Sequence, residues 1–307
     1  MPEQLFDPQF LKKLEMLTLI ARQLFRGDTG GTRRSAAHGA SVEFADFRPY
    51  VQGDDFRRID WNAFAKFESL MLRLFVEEQE LSVHILLDCS ASMNYGEPEA
   101  ANKFHYGRRL AAALAYMALS NTDKVSFTPV AIDTENDTYL GPASGSVRGK
   151  PGILRLMEML QSLKTAGKTD LNASLSRFAL RSGGSAANRT GLVVVISDFL
   201  SDPGYEEGIK RLRYAKNDVV LLQVLAPQEL KPELLGDVRL VDMETSAGVD
   251  VSANRAVLQA YSKRLSVFLA DIDSFSRKHG CSHVLANTGS SFEDLVLKQF
   301  RALGLAR

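Results

Sequence analysis

Five oxygen-bearing side chains stand at places in the sequence where a metal ion could be bound. Two of the places directly follow the apolar stretches 83–87 and 192–196, and the third is a polar loop before a helical pattern. Hard divalent cations prefer oxygen ligands, and Mg²⁺ takes about six of them at roughly 2.0–2.1 Å. The side chains therefore predict a site for Mg²⁺, with Mn²⁺ and Ca²⁺ as the alternatives. The five candidate ligands, direct or through water, are Asp88, Ser90, Ser92, Thr169 and Asp198.

The types of these ligands indicate what the ion would do. Two carboxylates only balance the charge of a divalent cation, and serine and threonine hydroxyls are weak neutral ligands. The ion would therefore stay electrophilic and accept a carboxylate from another molecule. The alternative is structural, because serine, threonine and aspartate also cap helix N-termini. Asp170 competes with Thr169 for either role, and Asp202 fits a turn or a cap better than a metal.

Short apolar runs alternate with segments of helical periodicity from residue 81 onward. An apolar run of this kind is typical of a parallel strand that is buried on both faces. The alternation predicts an α/β fold, a doubly wound and mainly parallel sheet of the Rossmann type. In such sheets ligands bind at the carboxyl ends of the strands, where the strand order reverses. The predicted strands are 83–87, 125–132, 192–196, 219–225, 238–243 and 282–286, and the predicted helices are 102–119, 153–163, 171–180, 205–215, 257–279 and 292–303.

Residues 1–80 are richer in charge than the rest and are predicted to form an N-terminal α+β extension. Within it, 8–25 has helical spacing and 70–76 has the pattern of a strand. The main domain is then 81–307, which includes a C-terminal helix. The segment Asp46–Trp61 is dense in charges and rings, which favours an ion-pair network that stabilises the fold. A docking surface for a protein partner is the alternative interpretation of this segment.

The composition argues against several classes of protein. The 37 basic and 37 acidic residues give a formal net charge of zero, which does not favour nucleic acid or an anionic membrane as a general partner. The longest nearly apolar stretch, 110–119, is too short to span a bilayer, and the N-terminus lacks the apolar run of a signal peptide. The run 145–150 departs from phosphate-loop spacing, so no nucleotide site is predicted. We therefore expect a cytoplasmic protein without a membrane span, with Cys89 and Cys281 as free thiols.

The spacing Asp-x-Ser-x-Ser from Asp88 to Ser92, followed by Thr169 and Asp198, resembles the metal-ion-dependent adhesion site of von Willebrand factor A domains. The resemblance extends over roughly 81–286 and is specific because the Asp88–Ser92 run and Asp198 each follow a buried strand and occur together with Thr169. It implies a von Willebrand factor A-like sheet and a divalent cation held by these residues. It also implies a non-catalytic module that binds a protein partner, with an acidic residue of the partner completing the coordination of the metal.

The N-terminal part contains two closely spaced patterns of charged and aromatic residues, Glu43-Phe44-x-Asp46-x-Arg48-x-Tyr50 and Gly53-Asp54-Asp55-x-Arg57-x-Ile59-Asp60-Trp61. They resemble the signature of a bacterial group known as domain-of-unknown-function family 58. Members of that group are often encoded beside MoxR-type AAA+ ATPases. The resemblance therefore implies an adaptor or substrate-recruiting protein that works with such an ATPase.

Two other functions stay open from the residues alone. In a metal-dependent hydrolase, the two aspartates and the ion would activate a water molecule. Against this, the sequence near the site contains no evident general base, such as a paired histidine. In the other alternative the protein is a scaffold whose metal site is vestigial. The complete set of five ligands argues against a vestigial site.

Overall fold

The computed structural model describes residues 10, 12–16, 42–52, 54–77, 81–98, 101–120, 123–133, 138–140, 143–165, 167–183, 191–234, 236–292 and 295. The chain divides into two compact units, Gly30–Glu80 and a larger unit that contains Met1–Thr29 and Leu81–Arg307. The domain division at residue 81 stays a prediction, because most of the first 41 residues lie outside the described part.

The smaller unit contains an antiparallel pair of strands and a short helix. Strand β1 (Val42–Pro49) pairs along its length with β2 (Met71–Glu77). Helix α1 (Trp61–Phe67) lies between them in sequence. It begins where the Asp60 carboxylate accepts two backbone N–H groups of the first turn. Those groups have no partner within the helix, so this cap fixes where α1 starts.

A well-formed ion pair lies within the segment Asp46–Trp61. The Arg48 guanidinium donates to both carboxylate oxygens of Asp54, at 2.8 and 2.7 Å, and this hydrogen bonding lowers the pKa of Asp54. Trp61 is 63% exposed, and its ring meets that of Phe64 edge to face at 6.3 Å. The ion pair agrees with the interpretation of this segment as an ion-pair network that stabilises the fold. The exposed Trp61 ring is compatible with the alternative, a docking surface for a protein partner.

The larger unit is built on a mainly parallel sheet. Its described strands are β3 (Ser82–Asp88), β4 (Lys124–Asp133), β5 (Thr138–Leu140), β6 (Leu192–Ser197), β7 (Asp218–Leu225), β8 (Gly236–Val241), β9 (Gly248–Ala253) and β10 (Ser282–Asn287). Six of them form one sheet in the order β10-β7-β6-β3-β4-β5. Each neighbouring pair is parallel except β4 and β5, and β8 and β9 form a separate antiparallel hairpin. Five parallel strands confirm the predicted α/β class.

Helices cover both faces of the sheet. Those described are α2 (Lys103–Ser120), α3 (Gly149–Ser162), α4 (Leu171–Gly183), α5 (Glu206–Tyr214), α6 (Pro227–Leu230) and α7 (Arg255–Lys278). Successive residues of a strand point to opposite faces, so β3 contributes to two apolar layers. Ile85 and Leu87 pack in the layer that holds α2 and α3, whereas Leu86 packs in the layer of α4 and α5. Burial on both faces explains why the strands are apolar throughout.

The predicted strands and helices between 102 and 286 each overlap an observed element of the same kind. The main difference is the β8–β9 hairpin, where only one strand, 238–243, is predicted. The predicted helices 8–25 and 292–303 fall mostly outside the described residues, although 10 and 12–16 are helical. None of the helices in the described part combines the length and the apolar character needed to cross a membrane.

Close packing of α5 on α4 depends on Gly208. A Cβ atom at this position would lie 2.7 Å from the Leu175 Cβ, so we expect Gly208→Ala to force the helices apart. Overpacking costs about 1–3 kcal/mol, and the gain of about 1 kcal/mol in helix propensity only partly offsets it. Urea unfolding measures the net loss. Lys210→Ala on the exposed side of α5 is the control and should change stability by less than about 0.5 kcal/mol.

Candidate metal centre

The strand order reverses beside β3, and the candidate ligands lie at that point. From β3 the chain crosses to β4 on one side, and it later enters β6 on the other side of β3. The loops that follow β3 and β6 therefore diverge and leave a crevice at the carboxyl edge of the sheet. Leu87 pairs with Ile196 in the parallel register, so Asp88 and Ser197, the next residues, lie side by side.

Asp88 accepts hydrogen bonds from three segments of the chain. Its Oδ2 accepts from the Ser197 hydroxyl at 2.6 Å. Its Oδ1 accepts from the Thr169 hydroxyl and from the Ser90 backbone N–H, both at 2.9 Å. The Asp88 side chain is only 2% exposed. The structure therefore brings Asp88 and Thr169, two predicted ligands 81 residues apart, into direct contact.

The two predicted serines lie together in the loop after β3. This loop forms a 3-10 turn (Ala91–Met93), and the Oγ atoms of Ser90 and Ser92 are 2.9 Å apart. The Ala91 N–H donates to the Gly167 carbonyl at 3.0 Å, which ties this loop to the one that carries Thr169. Ser90 is buried and Ser92 is half-buried. Four predicted ligands, two serines with Asp88 and Thr169, thus form one cluster.

Thr169 and Asp170 have separate roles. The Asp170 carboxylate accepts the backbone N–H of Ala173 at 2.8 Å and so caps the N-terminus of α4. Thr169 instead directs its hydroxyl to Asp88, while its carbonyl accepts from the Ser201 hydroxyl at 2.9 Å. Asp170 therefore supplies the helix cap, and the Thr169 hydroxyl belongs to the cluster of predicted ligands.

Asp198 is held by a buried ion-pair network. Lys103 Nζ lies 2.7 Å from Asp198 Oδ2 and 2.7 Å from Glu229 Oε1, and the lysine side chain is 1% exposed. Burial alone would lower the pKa of Lys103, but the charges of the two carboxylates outweigh burial and raise it. The other Asp198 oxygen, Oδ1, accepts the Leu200 N–H at 3.0 Å. The network fixes the Asp198 carboxylate at the end of β6.

The cluster carries an excess of negative charge. Burial, and after it the charge of Asp198, raises the pKa of Asp88 above its ordinary value. The carboxylates of Asp198 and Glu229 share the ammonium group of Lys103, and the Asp88 carboxyl group interacts electrostatically with Asp198. A divalent cation would offset this excess and relieve the repulsion between the two aspartates.

A carboxyl group of the β8–β9 hairpin lies within electrostatic reach of the cluster. It belongs to Glu244, in the turn of the hairpin. Burial, then the charges of Asp88 and Asp198, raises the pKa of Glu244 to about 7. Glu244 is half-buried although the residues around it in the turn are exposed. The hairpin therefore places a further carboxyl group beside the predicted ligands.

The donor chemistry of the cluster fits a hard cation. Within the described residues, no group of three or more histidine, cysteine, aspartate or glutamate side chains is arranged to hold a metal ion. The predicted set is of a different type, because it combines two carboxylates with three hydroxyl groups. Mg²⁺ is commonly bound through one or two carboxylates and keeps several waters, so this set suits it.

Several residues at this site were missed by sequence reasoning. Ser197 has a signal in the sequence, since it directly precedes Asp198 at the end of an apolar run. Lys103 and Glu229 give no signal of this kind in the sequence, because lysine and glutamate are usually exposed and only the fold brings these two together. Glu244 was missed because the turn that positions it belongs to a hairpin that was not predicted.

The Cys89 thiol beside the cluster is not suited to bind the metal. Burial, with a smaller effect from the charge of Asp88, raises its pKa to about 12, so the thiol stays protonated at neutral pH. Its Sγ donates to the Leu87 carbonyl at 3.5 Å. Cys281 is also a free, buried thiol, with a pKa raised by burial to about 11. Both cysteines are therefore unreactive packing residues.

A family model described as "Protein of unknown function DUF58" matches residues 46–267. The chain belongs to this family. An uncharacterized protein of Mycobacterium tuberculosis is 24% identical to this DUF58-family chain over 266 residues, which cover 87% of the chain and 81% of the relative. An uncharacterized protein of Mycobacterium bovis matches with the same identity and coverage.

Solved structures resemble the DUF58-family chain only distantly. The conserved hypothetical protein BatB from Bacteroides thetaiotaomicron has a TM-score of 0.43 and 15% identity, covering 73% of this chain and 98% of that one. The pilus adhesin SpaC from Lactobacillus rhamnosus GG in its open conformation has a TM-score of 0.45 and 8% identity, and the match covers 75% of this chain and 30% of the adhesin. Scores this low carry no conclusion about fold or function.

We expect Lys103→Met to destabilise the larger unit by about 3–5 kcal/mol, because it leaves the buried Asp198 and the half-buried Glu229 carboxylates without their shared cation. Urea unfolding followed by circular dichroism measures this loss. The double variant Lys103→Met with Glu229→Gln removes one charge of each sign and should lose less stability than the single variant. An unfolding free energy of Lys103→Met equal to that of wild type would contradict a stabilising role for the network.

Proposed function

We propose that this DUF58-family protein is a non-catalytic, metal-dependent protein-binding module. In this proposal the larger unit is a von Willebrand factor A-like domain with a metal-ion-dependent adhesion site. The ion is Mg²⁺, and an acidic residue of the partner completes its coordination. The observation that carries the proposal is the contact of Thr169 with Asp88 at the point where the strand order reverses. The proposed ligands, direct or through water, are Asp88, Ser90, Ser92, Thr169 and Asp198.

The electrostatics of the cluster support a cation. Asp88 is 2% exposed, and the charge of Asp198 adds to the effect of burial in raising its pKa. The charge of Asp198 therefore makes ionisation of Asp88 less favourable, a cost that a bound divalent ion would remove. Lys103 already neutralises part of this charge, but it shares its ammonium group with Glu229. The remaining negative charge lies on the side of Asp88 and the serines.

The ligand types support binding over catalysis. When bound, the ion supplies an electrophilic centre that attracts a carboxylate. The chain's own residues orient it: Asp88 is held by hydrogen bonds from both sides, and Asp198 is held by Lys103. A site built on rigid strand ends keeps its geometry when a partner approaches. This arrangement suits recognition of an exposed acidic side chain.

The proposed partner is a MoxR-type AAA+ ATPase or a protein that such an ATPase acts on. This part rests on the resemblance of the N-terminal segment to a group often encoded beside these ATPases, and on the membership of the chain in the DUF58 family. In this role the module would act as an adaptor that holds an acidic segment of its partner.

Calorimetric titration with Mg²⁺ and Mn²⁺ tests the site itself. We expect wild type to bind and Asp88→Asn to lose binding, because the amide removes one of two carboxylates. At a metal concentration a hundred times the Kd, the ion should stabilise wild type by about 2.7 kcal/mol and leave the variant unchanged. Without metal, Asp88→Asn should be at least as stable as wild type, since it removes a buried charge next to Asp198.

Asp202→Asn is the matched control for this titration. Asp202 is an exposed aspartate in the loop after β6, and its variant should bind Mg²⁺ as wild type does. Metal binding retained by Asp88→Asn would contradict the assignment of the site. Absence of binding to wild type would leave the third possibility, a scaffold with a vestigial site.

A binding assay with the purified MoxR-type ATPase encoded nearest to this gene tests the partner. We expect binding to wild type in Mg²⁺ and a loss of at least about tenfold with Asp88→Asn, as for the removal of a metal ligand. The comparison of wild type with Asp88→Asn is more informative than adding a chelator, because a chelator would also remove Mg²⁺ from the ATPase. Equal affinity of both proteins would argue against a metal-mediated contact with this ATPase.

A further inference from the structure

Among the described residues, the two large apolar side chains with the highest exposure line the same groove. Leu180 on α4 is 72% exposed, and Tyr214 at the end of α5 is 92% exposed. Both line a cavity of about 340 Å³ between these helices, together with the small residues Ser176, Ala179 and Ala215. Single apolar side chains on a surface are common, whereas several of them around one concave surface are typical of a binding site. We call this surface the α4–α5 groove.

The rim of the α4–α5 groove is basic. Every charged residue in the ranges 176–183 and 210–216, which include the second half of each helix, is a lysine or an arginine. Lys210 and Arg211 line the groove itself. Lys210 Nζ lies 2.6 Å from a carboxylate oxygen of Glu207, but both side chains are exposed. Such a pair contributes little to stability, so a carboxylate of another molecule can replace it. The chain as a whole has a formal net charge of zero, so this positive charge is a local feature.

The α4–α5 groove lies away from the candidate metal centre. Thr169 and Asp170 precede α4, and the loop after β6 leads into α5, so both helices begin near the carboxyl edge of the sheet. The second halves of the helices line the groove and approach the opposite edge, where β6 and β7 begin. A ligand in the groove is therefore not expected to contact the proposed ion.

We propose that the α4–α5 groove is a second docking surface, which binds an amphipathic helix of a partner with acidic side chains on its polar face. The apolar face of that helix contacts Leu180 and Tyr214, and its carboxylates pair with Lys210 and Arg211. The groove is lined by two helices and the residue after α5, so it offers no strand edge to an extended peptide. A partner segment must satisfy its own backbone hydrogen bonds, as an α-helix does.

Three other occupants fit the groove less well. A second copy of this chain, joined through the same face, would bring basic side chains against basic side chains. The segment 184–190, which connects α4 to β6, has neither an acidic nor a large apolar residue in its sequence. A flat anionic membrane would meet the basic rim but not the floor of the groove. An acidic helix complements both the charge of the rim and the apolar lining.

A synthetic peptide of about 18 residues, long enough to form a helix, tests this surface. It carries leucine at every third or fourth position and glutamate at most others, and the anisotropy of a fluorescent label reports binding. The titrations contain EDTA, so that the glutamates have no metal ion to bind. We expect wild type to bind, and Leu180→Asp and Tyr214→Ser to bind at least about tenfold more weakly, as for residues that dominate an interface. Both side chains are exposed, so neither change should affect folding.

Leu154→Asp is the matched control, because Leu154 is a leucine on α3 that is 66% exposed. It introduces the same charge on the opposite face of the sheet and should bind the peptide as wild type does. A second peptide, with lysine in place of glutamate, should bind wild type at least about tenfold more weakly, because it meets the basic rim with like charge. Sedimentation velocity and co-sedimentation with phosphatidylserine vesicles test for a second copy and for a membrane.

The outcomes decide between these occupants. Peptide binding that is weakened in Leu180→Asp and Tyr214→Ser, and unchanged in Leu154→Asp, supports the inference. No binding to wild type, or equal affinity of wild type and both groove variants, would overturn it. A wild-type dimer or vesicle binding that Leu180→Asp abolishes would overturn it in favour of that occupant. Because the titrations contain no free metal ion, none of these results bears on the proposed metal site.

Discussion

Asp88 and Asp198 lie at the ends of neighbouring parallel strands, each 2% exposed, and the charge of Asp198 opposes the ionisation of the buried Asp88 carboxyl group. Much of the surrounding structure serves to hold these two carboxylates in place. Hydroxyl and backbone N–H groups bond to Asp88, while Lys103 neutralises Asp198. The hydrogen bonds and the ion pair reduce the cost of burial without removing it. A stability cost maintained at the edge of a sheet is typical of a functional site.

The connections to Asp88 also join the loops of the crevice to one another. Ser197 bonds it to the end of β6, and Thr169 bonds it to the loop before α4. The Ala91 N–H bonds to Gly167 and reinforces the second of these links. Because the same groups position the carboxylate and fix the loops, a change at the site is expected to alter the order of the loops as well. Metal binding and local stability are therefore coupled in the proposed module.

The β8–β9 hairpin adds a surface element that is less firmly held than the sheet. Most of its side chains are exposed, and its order comes from the strand pairing and from the Asp242 turn. Strand ends in a packed core give precise geometry, whereas an exposed hairpin can move at little cost.

The sequence by itself determined the class of fold and the identity of the predicted ligands. Apolar strands buried on both faces and helices of regular periodicity are local patterns, and they predicted the parallel α/β sheet correctly. The same patterns placed Asp88 and Asp198 at strand ends, and the switch-point rule indicated that such residues meet. The separation of roles between Thr169 and Asp170 was not decided at this level, because both precede the same helix.

Only the tertiary structure decided which side chains neutralise and cover the site. Lys103 reaches Asp198 across 95 residues and Glu229 across 126, and Ser197 reaches Asp88 across 109. Glu244 comes within electrostatic reach of Asp88 and Asp198 through a hairpin whose return strand was not predicted. Periodicity reports the local environment of a residue along its own helix or strand. It does not report the distant partner that the chain topology brings to it, and the balance of charge at the site depends on those partners.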